Sequence, residues 1–256
     1  MATPLLEVHD LTLRFGGVTA LNQVTFDVHH DELFAIIGPN GAGKTSIFNC
    51  LSAVYRPQEG DMLLEGRSLL GVRPDLTANL GLGRTFQNLG LFVHLDVIDN
   101  LLLGRHHRMS SGFLAGALWF GKARREELVH RAAVEEIVDL LELSPYRRLP
   151  VGMLPYGVQK RIELGRALAM EPRLLMLDEP VAGMNLEETE DMARYIIEIR
   201  ERLRLPIALV EHDMHMVMDL ADRVMALDFG VVIATGSPDD IQSDPRVIEA
   251  YLGGAA

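Results

Sequence analysis

The run Gly38-Pro39-Asn40-Gly41-Ala42-Gly43-Lys44-Thr45 constrains this chain more than any other segment, because it fits G-x-x-x-x-G-K-[ST]. Before it, residues 33–37 (Leu-Phe-Ala-Ile-Ile) form a short continuous apolar run, the pattern of a strand buried on both faces. After it, residues 44–53 read as a helix. The chemistry explains the spacing. Glycines let the backbone curl so that successive N–H groups point inward at phosphate oxygens, and the helix start adds the positive end of its dipole. The Lys44 ammonium reaches terminal phosphates, and the Thr45 hydroxyl suits Mg²⁺ bridging the same phosphates. Asn40, Gly41, Ala42, Gly43, Lys44, Thr45 and Ser46 are therefore the candidate phosphate-binding residues.

The rest of the chain places this loop in an α/β frame. Residues 5–15 and 24–28 contain the alternating apolar positions of half-buried strands, with Gly16-Gly17 between them. Residues 61–65 read as another strand. From about 91 to 149 the pattern turns helical, strongest over 122–143, where Leu128, Ala132, Ile137, Leu140 and Leu141 fit one face. Ser144-Pro145 stops it. Arg105, His106, His107 and Arg108 read as a solvated loop. The last third alternates strand (174–177), helix (186–203), strand (207–210), helix (212–221) and strands (224–227, 231–234). Such alternation implies a largely parallel sheet. The expectation is a single domain over 1–256, with an α/β core of about 1–88 and 156–256 and a helical insertion of about 89–155.

Lys and Arg total 24 against 36 Asp and Glu, a net charge of -12. Phosphate contacts drive nonspecific nucleic-acid affinity, so this balance argues against a nucleic-acid partner. It argues equally against coating an anionic membrane unaided. The lone cysteine, Cys50, forms no internal disulfide and asks for no oxidising compartment. Residues 1–10 lack a secretory pattern. No apolar stretch reaches the roughly 20 residues that span a bilayer, the longest being 113–120. A cytoplasmic protein is expected, held at any membrane by something else.

Residues 174–179, Leu-Leu-Met-Leu-Asp-Glu, form a buried strand ending in two carboxylates. Alone they read equally as a solvated strand end. Beside a phosphate loop, Asp178 suits the water shell of Mg²⁺ and Glu179 suits orienting or deprotonating an attacking water.

These elements together resemble the ATP-binding subunit of ABC transporters, along nearly the whole chain. That resemblance implies a P-loop NTPase (RecA-like) core with an N-terminal antiparallel β-subdomain and an inserted helical subdomain, using ATP and Mg²⁺. It implies that Phe15, in Leu13-Arg14-Phe15-Gly16-Gly17, stacks on adenine; the competing reading is an edge-strand core residue. It implies that Gln87, in Arg84-Thr85-Phe86-Gln87-Asn88, links Mg²⁺ and the attacking water to the helical subdomain. His212, in Val210-Glu211-His212-Asp213, matches the histidine that contacts the γ-phosphate. The pair His212 and His215 has no third ligand nearby, which favours the phosphate role over a metal.

Asn49-Cys50-Leu51, Leu154-Pro155-Tyr156-Gly157, Glu211-His212-Asp213-Met214 and Ala250-Tyr251-Leu252-Gly253 narrow the resemblance to ATPases of branched-chain amino-acid uptake systems. That group implies a second, different ATPase subunit, two permeases and an extracytoplasmic binding protein, with this chain peripheral on the cytoplasmic face of the inner membrane. Two departures stand out. The general family carries L-S-G-G-Q where this chain has Leu154-Pro155-Tyr156-Gly157-Val158, so the element that presses on the partner's ATP rests on Tyr156 and Gly157, and Pro155 offers neither hydroxyl nor N–H. Asn185 stands where the family has aspartate and keeps a carbonyl acceptor without the charge. Both imply an asymmetric pair of ATP sites.

A soluble ABC ATPase without transport fits less well, because this chain has one cassette and a short insertion. A regulatory module that does not turn over ATP conflicts with the presence of Glu179 and His212. The apolar stretch 111–121 has two readings, contact with a permease or the bilayer edge, or a loop packing on the helical subdomain.

Overall fold

The computed structural model describes residues 3–86, 89–108 and 122–253. β1 (Leu6–Phe15) and β2 (Val18–Val28) pair antiparallel, from Leu6 opposite Val28 to Phe15 opposite Val18. β2 starts earlier than the pattern indicated, because residues 18–23 are mostly exposed and mix three apolar with three polar residues without a clean alternation. β4 (Glu59–Leu64) and β5 (Arg67–Ser68) complete a sheet of order β2-β1-β4-β5. This is the expected antiparallel N-terminal sheet.

The second sheet has the order β10-β9-β3-β8-β7-β6. Its strands are β3 (Leu33–Ile37), β6 (Leu82–Arg84), β7 (Leu174–Asp178), β8 (Ile207–Val210), β9 (Arg223–Asp228) and β10 (Val231–Gly236). β9, β3, β8, β7 and β6 run parallel, and β10 closes one edge antiparallel. β3, β7 and β8 are buried at every residue, as strands covered on both faces must be. Asp178 lies opposite Val210 and Ile36 also lies opposite Val210, so the carboxyl ends of β3, β7 and β8 finish level. Ligands of parallel sheets bind at that edge. Beneath it, Leu13, Leu21, Ile36, Ile47, Phe48, Met176 and Leu227 share one buried cluster.

The chain groups into two compact units, one of residues 1–84, 173–179 and 196–256, the other of 85–172 and 180–195. Both sheets belong to the first. The second is built on α2 (Val97–Gly104), α3 (Lys122–Leu140) and α4 (Tyr156–Ala169). α4 belongs with these helices by its contacts, whereas the sequence boundary at 156 put it with the core. Small residues explain the close packing. A β-carbon at Gly165 would lie 2.8 Å from Leu101 and 3.0 Å from Leu141.

The face of α3 differs from the sequence expectation. Leu128 and Ala132 are exposed, and the buried stripe is His130, Val134, Val138 and then Leu141. The misplacement has a physical cause: a polar residue starts the buried stripe. His130 is buried because Arg105 Nε donates to its Nδ1 at 2.8 Å. Arg105 is itself buried, pairs with Glu171 at 2.8 Å and donates to the Ala169 carbonyl. It is therefore not part of a solvated loop. Residues 111–121, with both readings of that apolar stretch, lie outside the described residues.

α5 (Leu186–Leu203) follows β7, and α6 (Met214–Leu220) follows β8. Two further helices, α7 (Pro238–Ser243) and α8 (Pro245–Gly253), close the chain. α7 had a legible signal. Ser237 and Asp240 form a capping box around Pro238 at the first helical position. Among the described residues no helix is long and apolar enough to cross a membrane.

Candidate nucleotide site

The loop between β3 and α1 (Lys44–Leu51) turns on left-handed glycines. Gly38 has φ of 152°, and a β-carbon there would run into the Leu227 carbonyl oxygen. Gly43 has φ of 105° and precedes α1, where a β-carbon would lie 2.7 Å from the Ala20 carbonyl oxygen. Only glycine fits both positions. No side chain caps α1, so its first N–H groups are left for an anion.

Lys44 is buried and donates to the carbonyls of Gly38 at 2.6 Å and Pro39 at 3.1 Å. Burial pushes its ammonium below the ordinary lysine range, and Glu179, Asp178 and Glu211 pull it back. The cation thus already sits in a field of three carboxylates. Thr45 and Ser46 follow on α1, both half-buried, while Asn40 and Gly41 are exposed on the loop and Ala42 is buried.

Asp178 ends β7 at 1% side-chain exposure, and Arg84 Nη2 donates to its Oδ2 at 2.7 Å. The same guanidinium donates to Asn49 Oδ1 at 2.9 Å and Ser52 Oγ at 3.0 Å. It lies 5.6 Å from the Phe48 ring centroid. Glu179 is half-buried, and its amide donates to the Val210 carbonyl at 2.9 Å. Its φ of 50° is left-handed, a conformation a non-glycine residue holds at a cost of about 1–3 kcal/mol. Such strain concentrates at functional positions.

His212 follows β8 with 57% side-chain exposure, its Nδ1 3.6 Å from Glu211 Oε2. Glu211 is fully buried and accepts from the amides of His212 at 2.9 Å and Asp213 at 3.4 Å, setting the turn that presents the imidazole. Among the described residues no group of three or more His, Cys, Asp or Glu is arranged to hold a metal, which includes His212 with His215.

Phe15 ends β1 at 47% exposure, its ring edge-on to Tyr55 at 5.0 Å and 77°. That exposure departs from the core-residue reading and leaves a ring available for stacking. An aromatic stack contributes about 0.5–1.5 kcal/mol beyond area burial. On the adenine-stacking role that the family resemblance implies, Phe15→Ala is expected to raise the KM for ATP by roughly two- to tenfold, with kcat unchanged in steady-state assays.

Lys44, Asp178, Glu179, Glu211, His212 and Phe15 all belong to the first unit, and the structure gathers the first five around the carboxyl edge of β3, β7 and β8. Gln87 lies outside the described residues. Tyr156 and Gly157 belong to the second unit. Tyr156 begins α4 and donates to the Ala182 carbonyl at 3.1 Å. Gly157 is buried, with the Glu188 carboxylate against it where a β-carbon would go. Asn185 caps α5. Its Oδ1 accepts from the Glu188 amide at 3.0 Å, and Glu188 Oε2 accepts from the Asn185 amide at 3.1 Å. Sequence reasoning gave Arg84 and Glu211 no role. Their signals were an arginine ending an apolar strand and an acid next to the candidate histidine.

A phosphate loop between a central parallel strand and a helix, facing carboxylates from the neighbouring strand ends, defines a P-loop nucleotide-hydrolysing domain. The chain belongs to the ATP-binding family of ABC transporters and is an ATPase of that family: the family described as ABC transporter matches residues 21–182. A second, described as branched-chain amino acid ATP-binding cassette transporter, matches residues 231–256. The chain is 41% identical, over 100% of both chains, to the high-affinity branched-chain amino acid transport ATP-binding protein BraF of Pseudomonas aeruginosa. It has the same identity and coverage with LivG of Escherichia coli K12, which bears the same description. The fold matches a solved ATP-binding cassette of an ABC transporter in its ADP conformation, with TM-score 0.85, 26% identity and coverage of 98% of this chain and 100% of that one. A nucleotide-free ATP-binding cassette matches with TM-score 0.83 and 26% identity over 97% and 99%.

Proposed function

We propose that this chain is the ATP-hydrolysing subunit of an importer for branched-chain amino acids. It works with a second, different ATPase subunit, two permeases and an extracytoplasmic binding protein, at the cytoplasmic face of the inner membrane. The observation that carries this reading is 41% identity, end to end, with two proteins described as branched-chain amino acid transport ATP-binding proteins.

The residues take the following roles. Phe15 stacks on adenine. The loop from Asn40 to Gly43 and the start of α1, Ser46 included, receive the phosphates on backbone N–H groups. Lys44 leaves the Gly38 and Pro39 carbonyls and turns its charge on the terminal phosphates. Thr45, Gln87 and, through water, Asp178 suit Mg²⁺, as hard oxygen donors do. When bound, that ion neutralises charge developing on the phosphates. Glu179 takes the proton of the attacking water, and His212 stabilises the γ-phosphate as charge builds. Tyr156 and Gly157 present the start of α4 to ATP held by the partner subunit.

The test is ATP-dependent uptake of labelled leucine in vesicles carrying the permeases, both ATPase subunits and the binding protein. Uptake that needs this chain and is competed by isoleucine and valine is the expected outcome. Uptake of an unrelated solute with no leucine transport would sink the substrate assignment and leave the ATPase standing.

A further inference from the structure

The run Ala250-Tyr251-Leu252-Gly253 has no part in the site described above, yet α8 carries it to the phosphate loop. Pro39, Asn40 and Gly41 share the walls of a cavity of about 590 Å³ with Arg246, Glu249 and Ala250 of α8. The start of α8 is fixed. The Asp244 carboxylate accepts from the Arg246 amide at 2.8 Å and from the Arg246 guanidinium at 2.7 Å. The Asp244 carbonyl accepts from the amides of Val247 at 3.1 Å and Ile248 at 3.0 Å. Val247 is buried and lies one turn before Tyr251 on the same face. All of these residues belong to the first unit.

The Tyr251 hydroxyl oxygen is buried and has no hydrogen-bond partner among the described residues. A buried hydroxyl without a partner destabilises a fold, and a phenylalanine would fill the same space without that penalty. Packing alone therefore does not account for the oxygen. The backbone group beside it is the Gly38 amide. Burial pushes the Tyr251 phenol above its ordinary range, and that amide pulls it back. Gly38 is also where Lys44 holds the loop, donating to its carbonyl at 2.6 Å and to that of Pro39 at 3.1 Å. On the role given to Lys44 above, phosphates draw the ammonium away, and the loop loses both bonds at its first two residues. The Tyr251 hydroxyl is placed to supply one in return at the Gly38 amide, since a hydroxyl accepts as well as donates. The cavity on the α8 side leaves the loop room for that small shift.

We propose that Tyr251 is a positioning residue for ATP binding, its hydroxyl oxygen taking the Gly38 amide once Lys44 turns to the phosphates, so that α8 steadies the start of the phosphate loop. The proposal rests on the phosphate-binding part given to that loop above. The experiment uses the full chain as wild type, Tyr251→Phe and Lys44→Ala. Equilibrium ATP binding, thermal denaturation without nucleotide and hydrogen exchange of the Gly38 amide with and without ATP are measured for each. Steady-state turnover is measured with the partner ATPase subunit and permeases.

Tyr251→Phe is expected to move affinity and stability in opposite directions. The Kd for ATP should rise about fivefold, the worth of one neutral hydrogen bond. The Tm without nucleotide should hold or rise by roughly 2–4 °C, because an unpaired buried hydroxyl is gone. KM should follow Kd while kcat stays within about twofold. ATP should slow exchange of the Gly38 amide about fivefold more in wild type than in Tyr251→Phe. An unchanged Kd overturns the proposal, as does equal slowing of Gly38 exchange in the two proteins. Weaker binding with a matching fall in Tm overturns it too, because the hydroxyl would then serve only the fold. Lys44→Ala that binds ATP as wild type does sinks the part given to the loop, and this proposal with it. Weak binding by Lys44→Ala beside normal binding by Tyr251→Phe sinks this proposal alone.

Discussion

Replacing Glu179 with glutamine lowers ATP turnover by about 10²- to 10⁴-fold, the range general-base catalysis supplies, while ATP still binds. Glutamine fills the same space and keeps one acceptor oxygen, but it takes no proton. The backbone at Glu179 is held left-handed and tied through its amide to β8, so the substitution changes the functional group without releasing the turn. On the assignment proposed above, binding is supplied elsewhere, by the loop from Gly38 to Lys44. The check is single-turnover hydrolysis beside equilibrium nucleotide binding, on the chain with its partner ATPase. Normal hydrolysis in the variant would mean that Glu179 is not the base.

The same variant tests the asymmetry of the two ATP sites. This chain's own site contains the loop, both carboxylates and His212. What it offers the opposite site, on the assignment proposed above, is Pro155-Tyr156-Gly157, where the Glu188 carboxylate lies against Gly157. A negative group at that helix start opposes the approach of a γ-phosphate. Disabling Glu179 here should therefore cost more turnover than disabling the corresponding acid of the partner. Equal losses would count against asymmetry.

The parts of this molecule that were legible from sequence are those where local chemistry dictates the residue. Glycine at 38 and 43, lysine at 44 and a continuous apolar run before them admit few structures, so the loop and β3 could be read directly. The strand ending in Asp178 and Glu179 was legible for the same reason. Arg84 was not, because its role comes from long-range pairing with an acid 94 residues away, and Glu211 was not, because its bonds to the His212 and Asp213 amides exist only once the turn after β8 has formed. The face of α3 was misread where His130 enters the buried stripe with a hydrogen bond from Arg105. Periodicity tracks apolar residues, so a polar residue that finds its partner inside is invisible to it.

Replacing Arg84 with methionine destabilises the chain by about 3–5 kcal/mol, the cost of leaving one member of a buried ion pair without the other. Asp178 and Arg84 side chains are 1% and 7% exposed, so water does not take over when the guanidinium is gone. Asn49 and Ser52 on the far side of that guanidinium lose its N–H groups as well. For a chain of this size the loss corresponds to a fall in Tm of roughly 10 °C, read by thermal denaturation without nucleotide. Asp178→Asn keeps an amide oxygen that accepts from Arg84 but leaves the buried guanidinium without its counter-charge, so stability should fall as well, and on the proposed role of Asp178 toward Mg²⁺ turnover should drop with it. Combining the two substitutions should cost less stability than their sum, because the second no longer strands a charge. An Arg84→Met chain as stable as wild type would show that Asp178 does not depend on this pair, and β6 would then be no more than the edge of the sheet.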